Sequence, residues 1–319
     1  MFKLTLTIFF ALFLFQAEAQ LPSISDWFLS SGDWDKDPQL YVREFGTGRD
    51  TVIILHGGWG AEHGELLTAC AGLTKEFHFV TYDQRGSLRS PFPDGAISYD
   101  AHIEDVERLR KALRLNKIKL VGHSMGGLLA AAYASRYPQH IRSLVLLAPA
   151  DLKNPLPAEE LALKQEQSKK LDEFFNRPEV QRELERYKLQ RPNEELSSIE
   201  RTSKFRINVF GRRMLYDVSN WSKIMGGGAL YKGNVYELTE KTYPKEGWDY
   251  VAVLEKQSFP VSIITGDHDF IDFGNSVAKK WVAGRKQFTF TPIKNAGHLL
   301  WVDQPDALTK ELRTQLNRK

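Results

Sequence analysis

The segment Gly122-His123-Ser124-Met125-Gly126-Gly127 restricts what this chain can fold into more than any other. It follows an apolar run, Ile118-Lys119-Leu120-Val121, and precedes Leu128 to Tyr137, an Ala- and Leu-rich stretch without internal Gly or Pro. That order reads as strand, sharp turn, helix. Small residues on either side of Ser124 let strand and helix approach closely and place the serine at the apex of the turn, with its hydroxyl above the sheet edge. The helix that follows aims its first amides at the same space.

The flanking sequence repeats the strand–helix rhythm. Thr51 to Leu55 is a β-branched run ending in His56-Gly57-Gly58, and His78 to Tyr82 is another, ending in Asp83-Gln84-Arg85-Gly86. Between them Glu62 to Lys75 reads as helix. Tyr99 to Leu115 is amphipathic, with Ile103, Val106, Leu109 and Leu113 at three- and four-residue steps. Ser143 to Ala148, Val261 to Thr265 and Phe288 to Pro292 are further strands, and helices are expected from about Gly274 to Val282 and from Pro305. Gln39 to Phe45 alternates like an edge strand. Short apolar strands alternating with helices predict an α/β fold with a mostly parallel sheet covered on both faces.

The rhythm breaks at Pro149. From Asp151 to about Phe259 the sequence is charged and helical, punctuated by Pro155, Pro157, Pro178 and Pro192. Leu171, Phe174 and Phe175 form one apolar patch, Val180, Leu184 and Tyr187 another, and Met225-Gly226-Gly227-Gly228 is an expected flexible point. A helical insertion of this size between two sheet strands predicts a cap over the strands' C-terminal ends, where open α/β sheets bind ligands. The expected organisation is a core over residues 20–150, a cap over 151–259 and the rest of the core over 260–319.

Residues 1–19 are set apart. Lys3 precedes an apolar stretch, Leu4 to Phe15, and Ala17-Glu18-Ala19 matches a small-x-small cleavage site. The expectation is a signal peptide cleaved after Ala19 and a secreted or periplasmic protein starting at Gln20. The apolar stretch is too short to span a bilayer comfortably, so stable membrane insertion is not expected after cleavage. A formal charge of +3 gives no reason to invoke nucleic acid. Cys70 is the single cysteine and sits among Ala and Leu, so it reads as packing.

A serine hydroxyl needs a base within hydrogen-bond reach, and the base needs an orienting group. If Ser124 is the nucleophile, an acid and then a histidine should follow later strands. Val261 to Thr265 leads into Gly266-Asp267-His268-Asp269, and Phe288 to Pro292 leads to Asn295-Ala296-Gly297-His298. Asp269 is the preferred acid, because the turn after the strand uses up Asp267; Asp267 and Asp272 are the other carboxylates of that loop. His56, His63, His78, His102, His123, His140 and His268 follow no suitable strand and read as structural or exposed. Oxyanion donors are expected from the backbone N–H of Met125 and of Gly58, with Trp59 as the neighbouring possibility. No HExxH and no cysteine pair points to a metal, and no cofactor is expected.

Together, His56-Gly57-Gly58-Trp59-Gly60, Asp83-Gln84-Arg85-Gly86-Ser87, Gly122 to Gly127, Gly266-Asp267-His268-Asp269 and Gly297-His298 resemble the capped α/β-hydrolase superfamily over essentially the whole chain after residue 19. The HGG-x-G and DQRG segments look most like its proline iminopeptidase branch. The resemblance implies an α/β-hydrolase sheet flanked by helices with an inserted helical cap. It implies Ser124 as nucleophile, His298 as base, Asp269 as orienter, and release of an N-terminal proline or small residue from short peptides. The chain departs from that branch at Trp59, where proline is usual, at Met125, where tryptophan is common, and at Phe270, where some relatives carry a carboxylate. An aminopeptidase needs carboxylates for the substrate's ammonium group. Glu237 and Glu240 are the first candidates, with Asp217 behind them and Trp59 as a further substrate contact. A carboxylesterase of small acyl substrates would use the same machinery, and a non-catalytic binding protein would use only the scaffold.

Overall fold

The structure is a computed structural model describing residues 24–30, 39–224 and 231–318. The expected signal peptide, its cleavage after Ala19, and the expected flexible point at Met225 to Gly228 lie outside the described residues. The strands before the insertion are β1 Ser25–Leu29, β2 Leu40–Phe45, β3 Asp50–Leu55, β4 Phe77–Tyr82, β5 Ile118–His123 and β6 Ile141–Leu147. Between them lie helices α1 Gly64–Cys70, α2 Tyr99–Ala112 and α3 Met125–Arg136. The insertion carries β7 Lys153–Asn154, α4 Ala158–Phe175, α5 Pro178–Arg186, α6 Ser198–Phe205, α7 Arg212–Met214, α8 Gly233–Glu240, β8 Trp248–Asp249 and α9 Tyr250–Leu254. The core resumes with β9 Val261–Gly266, α10 Ser276–Val282, β10 Phe288–Ile293, α11 Leu300–Asp303 and α12 Pro305–Leu316.

Eight strands form one sheet in the order β1-β2-β4-β3-β5-β6-β9-β10. The β1–β2 and β2–β4 pairs are antiparallel and the remainder are parallel. The expected edge strand is therefore one position inside the edge. β1 covers it, and its exposed, poorly alternating residues gave no pattern to read. The expected helix from Glu62 to Lys75 is shorter as well: α1 ends at Cys70 and tightens into a 3-10 turn, Ala71–Leu73.

The period of two along each strand divides the core between the faces. Ile53, Leu55, Leu144 and Leu146 join the cluster that α2 and α3 cover, while Val52, Ile54, Val145 and Leu147 join the one with α1 and α12. Cys70 is buried in the second cluster, as packing requires. Strands buried on both faces need near-continuous apolar sequence, which is why these runs are conspicuous.

The insertion leaves after β6 and returns before β9. Its two ends are pinched together by the β7–β8 ribbon, which pairs Lys153 with Asp249 and Asn154 with Trp248. Val180 and Leu184 of α5 are buried, but Tyr187 at the same helical spacing is exposed. A π-helical segment, Arg206–Gly211, joins α6 to α7 and brings Val209 and Phe210 onto one cavity wall. Among the described residues, no helix is long and apolar enough to cross a membrane.

Candidate active site

Ser124 lies between the last residue of β5 and the first of α3, with φ 54° and ψ −120°. A non-glycine residue holds such a backbone only when its surroundings leave no alternative. Here the surroundings are two glycines. A Cβ on Gly122 would sit 2.2 Å from Gly126 O, and one on Gly126 would sit 2.4 Å from the carbonyl oxygens of both Leu55 and His56. Only hydrogen at these positions lets β5, α3 and the end of β3 converge. The Ser124 carbonyl accepts from Gly127, Leu128 and Ala150 N–H at 2.9, 3.2 and 3.0 Å, which fixes the turn. Met125 opens α3, so its N–H belongs to the first turn, whose amides have no intrahelical partner.

The loops after β9 and β10 meet beside it. His298 Nδ1 is 3.0 Å from Asp269 Oδ1, and both side chains are buried. The same Asp269 oxygen accepts the Ile271 N–H at 3.0 Å. With Nδ1 engaged by the carboxylate, Nε2 is the imidazole nitrogen left to exchange a proton. The other two acids of the loop have separate work. Asp267 accepts from His268 Nδ1 at 2.7 Å and from Ala296 N–H at 3.3 Å, bracing the two loops against each other. Asp272 accepts from Val277 and Ala278 N–H at 3.1 and 2.7 Å, holding the start of α10, and burial raises its pKa against those two bonds. The His298 ring packs against Phe270 and His123, with centroids 4.7 and 4.6 Å away.

Ser124, Met125, His298 and Gly58 line one cavity of about 940 Å³ between sheet and insertion. The insertion contributes mainly apolar wall: Leu171, Phe205, Phe210, Ile224, Tyr231 and Tyr236. Among the described residues, the charged ones on the lining are Glu65, Asp151, Lys164 and Arg213.

Four residues expected at the substrate lie elsewhere. Trp59 is fully buried, donates its indole N–H to Tyr243 O–H at 2.8 Å and stacks on His102 at 4.6 Å. Its bulk anchors the glycine loop to the returning end of the insertion, so it is no substrate contact. Glu237 and Glu240 are exposed on α8 and do not belong to the cavity lining; the side of α8 that reaches the cavity carries Tyr236. Asp217 is exposed too, and its Oδ1 is used by Ser219 N–H and O–H at 3.0 and 2.7 Å.

The remaining motif residues are structural. His56 Nε2 accepts from Gln84 N–H at 3.0 Å, which leaves Nδ1 to donate to Gly57 O at 2.9 Å. Arg85 makes a buried two-pronged bond to Asp105, 2.7 Å on each side. Glu62, His63 and Asp83 have the geometry of a cation site, but Arg89 Nη1 lies 3.1 Å from Glu62 Oε2 and 3.3 Å from Asp83 Oδ2. The cation there is this chain's own guanidinium.

Two residues escaped the sequence reading. Asp303 is half-buried and accepts from Gly297 N–H at 2.9 Å and from Tyr216 and Asp217 N–H at 2.7 and 3.1 Å. It thereby fastens the His298 loop to the insertion, and burial raises its pKa in spite of those three donors. Glu65, in the first turn of α1, faces the cavity. The available signal was that α1 begins where the glycine loop ends, so its first turn must lie beside that loop.

A strained serine at a strand–helix junction, with acid and histidine after the last two strands of the parallel sheet, defines a class of fold. The family model described as "alpha/beta hydrolase fold" matches residues 50–305, and the chain belongs to that family. Among curated proteins it is similar to a proline iminopeptidase of Flavobacterium johnsoniae, 25% identical over 285 residues, covering 83% of this chain and 90% of that protein. It is also similar to a probable 1-acylglycerol-3-phosphate O-acyltransferase of Oryza sativa, 32% identical over 129 residues; that match covers 39% of this chain and 31% of the rice protein. Among solved structures, a thermophilic esterase from Thermogutta terrifontis superposes with a TM-score of 0.61 at 23% identity, over 92% of this chain and 98% of that one. The protein is an α/β hydrolase.

Proposed function

We propose that the protein is a serine aminopeptidase that releases an N-terminal proline or small residue from short peptides through an acyl-enzyme. The observation that carries the hydrolytic part is the buried His298–Asp269 pair, with His298 and the strained Ser124 lining one cavity. The likeness along most of its length to a proline iminopeptidase supports the peptide substrate. In this reading Ser124 Oγ attacks the scissile carbonyl while His298 Nε2 takes its proton, and Asp269 stabilises the imidazolium that forms. The N–H groups of Gly58 and Met125 hold the oxyanion. Collapse of the tetrahedral species breaks the C–N bond, the proton on His298 goes to the departing amine, and water repeats the sequence to free Ser124.

A carboxylesterase is the second reading, favoured by the apolar insertion wall and by Phe270 beside His298. One panel separates the two: prolyl and alanyl arylamides, their N-acetyl counterparts, and p-nitrophenyl esters. The aminopeptidase reading expects free-amine arylamides to be cleaved well ahead of the N-acetyl forms. Equal or better turnover of N-blocked substrates gives the site to the esterase reading. In either case Ser124→Ala should abolish covalent labelling by a fluorophosphonate, and persistent labelling would remove Ser124 from the mechanism. We also propose that residues 1–19 direct export and are removed; mass analysis of native protein that retains Met1 would overturn this.

A further inference from the structure

The aminopeptidase reading requires an anion for the substrate's ammonium group, and the surface acids of α8 do not reach the cavity. Two carboxylates do line it, Asp151 and Glu65. Asp151 is already engaged, its Oδ1 taking Lys164 Nζ at 2.5 Å. Glu65 is different. Its titratable neighbour is His123, whose Nδ1 lies 3.4 Å from Glu65 Oε1.

That contact is not a settled hydrogen bond. His123 Nε2 lies 3.2 Å from the His298 carbonyl oxygen, which can only accept, so Nε2 carries the proton. Burial pushes the His123 pKa down and outweighs the Glu65 carboxylate, which raises it, so with Nε2 carrying the proton the neutral ring presents Nδ1 as a lone pair. Nδ1 is buried and has no hydrogen-bond partner. A carboxylate oxygen and an imidazole lone pair therefore face each other, two acceptors with no donor between them. Such a pair is unfavourable until a cationic N–H donor arrives.

The location suits a substrate amine. Gly57 packs directly onto both residues: a Cβ on that glycine would come within 2.8 Å of Ser124 Cβ and 2.9 Å of His123 Nδ1. His123 Nδ1 thus lies beside the nucleophile, and Glu65 lines the same cavity as Ser124 with its Oε1 3.4 Å from that nitrogen. In an amino-acyl group the ammonium nitrogen is two bonds from the carbonyl carbon that Ser124 attacks, so the two must bind side by side. Resting on the aminopeptidase reading, we propose that Glu65, with His123 Nδ1 behind it, is the acceptor of the substrate's α-ammonium group and sets the preference for a free N-terminus.

The test compares alanine and N-acetylalanine 2-naphthyl esters, because an activated ester keeps acylation measurable in weakened variants. In the unsubstituted protein the free-amine ester should have at least a tenfold higher kcat/KM. Glu65→Gln should erase at least tenfold of that ratio, mostly through KM for the free-amine ester. Glu65→Asp, which keeps the charge on a shorter stem, should recover part of it. A structural role through His123 would instead lower kcat on both esters together and leave their ratio intact, which overturns the proposal. If Glu65→Gln fails to fold by its thermal transition, Glu65→Ala decides in its place: an unchanged ratio refutes Glu65 as the acceptor. A parent protein with no preference for the free amine refutes the aminopeptidase reading, whereas a preference that survives substitution of Glu65 refutes only this assignment.

Discussion

Replacing Asp269 with asparagine separates two things a carboxylate does for an imidazole: holding its tautomer and compensating its charge. One oxygen, Oδ1, accepts from both His298 Nδ1 and Ile271 N–H, each at 3.0 Å. An asparagine in the same rotamer must point its carbonyl at the Ile271 N–H, since its NH2 there would set donor against donor. The same carbonyl still accepts from His298, so the tautomer is kept and the loss is of charge. Breaking a buried pair costs about 3–5 kcal/mol, and the retained hydrogen bond argues for the lower end, about 3 kcal/mol. At roughly 1.4 kcal/mol per decade this is about a 10²-fold drop in kcat. An inverted tautomer would cost on the order of 10⁴. The assay is kcat on the best substrate of the panel, with the rate of fluorophosphonate labelling as a second readout and thermal unfolding as the control. A 10⁴-fold loss in a folded variant refutes the Ile271 argument, and a loss below about fivefold removes Asp269 from the site.

Three further outcomes are expected. Gly126→Ala drives a methyl into the Leu55 and His56 carbonyls, backbone atoms that cannot rotate away, and should destabilise by about 3 kcal/mol while displacing Ser124; unchanged thermal stability would refute the close approach. Glu107 is held by Arg110 and Tyr133, which lower its pKa to about 2 against an ordinary value of 4.5. The stabilisation is therefore complete above pH 4.5 and lost as pH falls towards 2, so urea titrations should show a flatter acid limb for Glu107→Gln; parallel acid limbs would refute it. Asp303→Asn turns an NH2 towards at least one of three backbone donors, costing about 1–3 kcal/mol. It should lower kcat through the His298 loop, and full activity would show that the tie is dispensable.

Much of this was legible because the residues concerned obey local rules. Ser124 sits where a turn forced by Gly122 and Gly126 must put it, and Asp269 and His298 lie directly beyond strands whose apolar runs are continuous. Asp267 was separable from Asp269 by its nearness to the strand end, and it does brace the turn. The insertion was legible as helical but not in its orientation. α8 turns Tyr236 to the cavity while Glu237 stays outside, a rotation set by tertiary packing that helix periodicity alone does not report. β1 was missed because a half-exposed strand of five residues has too few buried positions to establish a period. Trp59 was misjudged because a large aromatic beside a glycine loop can face either ligand or core, and its partner Tyr243 is 184 positions away in sequence.

That distant partner is one of several ties between the insertion and the catalytic loops. Trp59 ties the glycine loop to Tyr243 near the insertion's return, and Asp303 ties the His298 loop to Tyr216 and Asp217 in its middle. The Met214 carbonyl adds a third tie, accepting from Leu299 N–H at 3.1 Å. Each tie lands within one residue of a group assigned to the chemistry: Trp59 follows Gly58, Gly297 precedes His298, and Leu299 follows it. A substitution that displaces the insertion is therefore expected to disturb the oxyanion loop and the base through these backbone hydrogen bonds and one buried indole. Specificity arising in the apolar wall is in this way coupled to kcat as well as to KM.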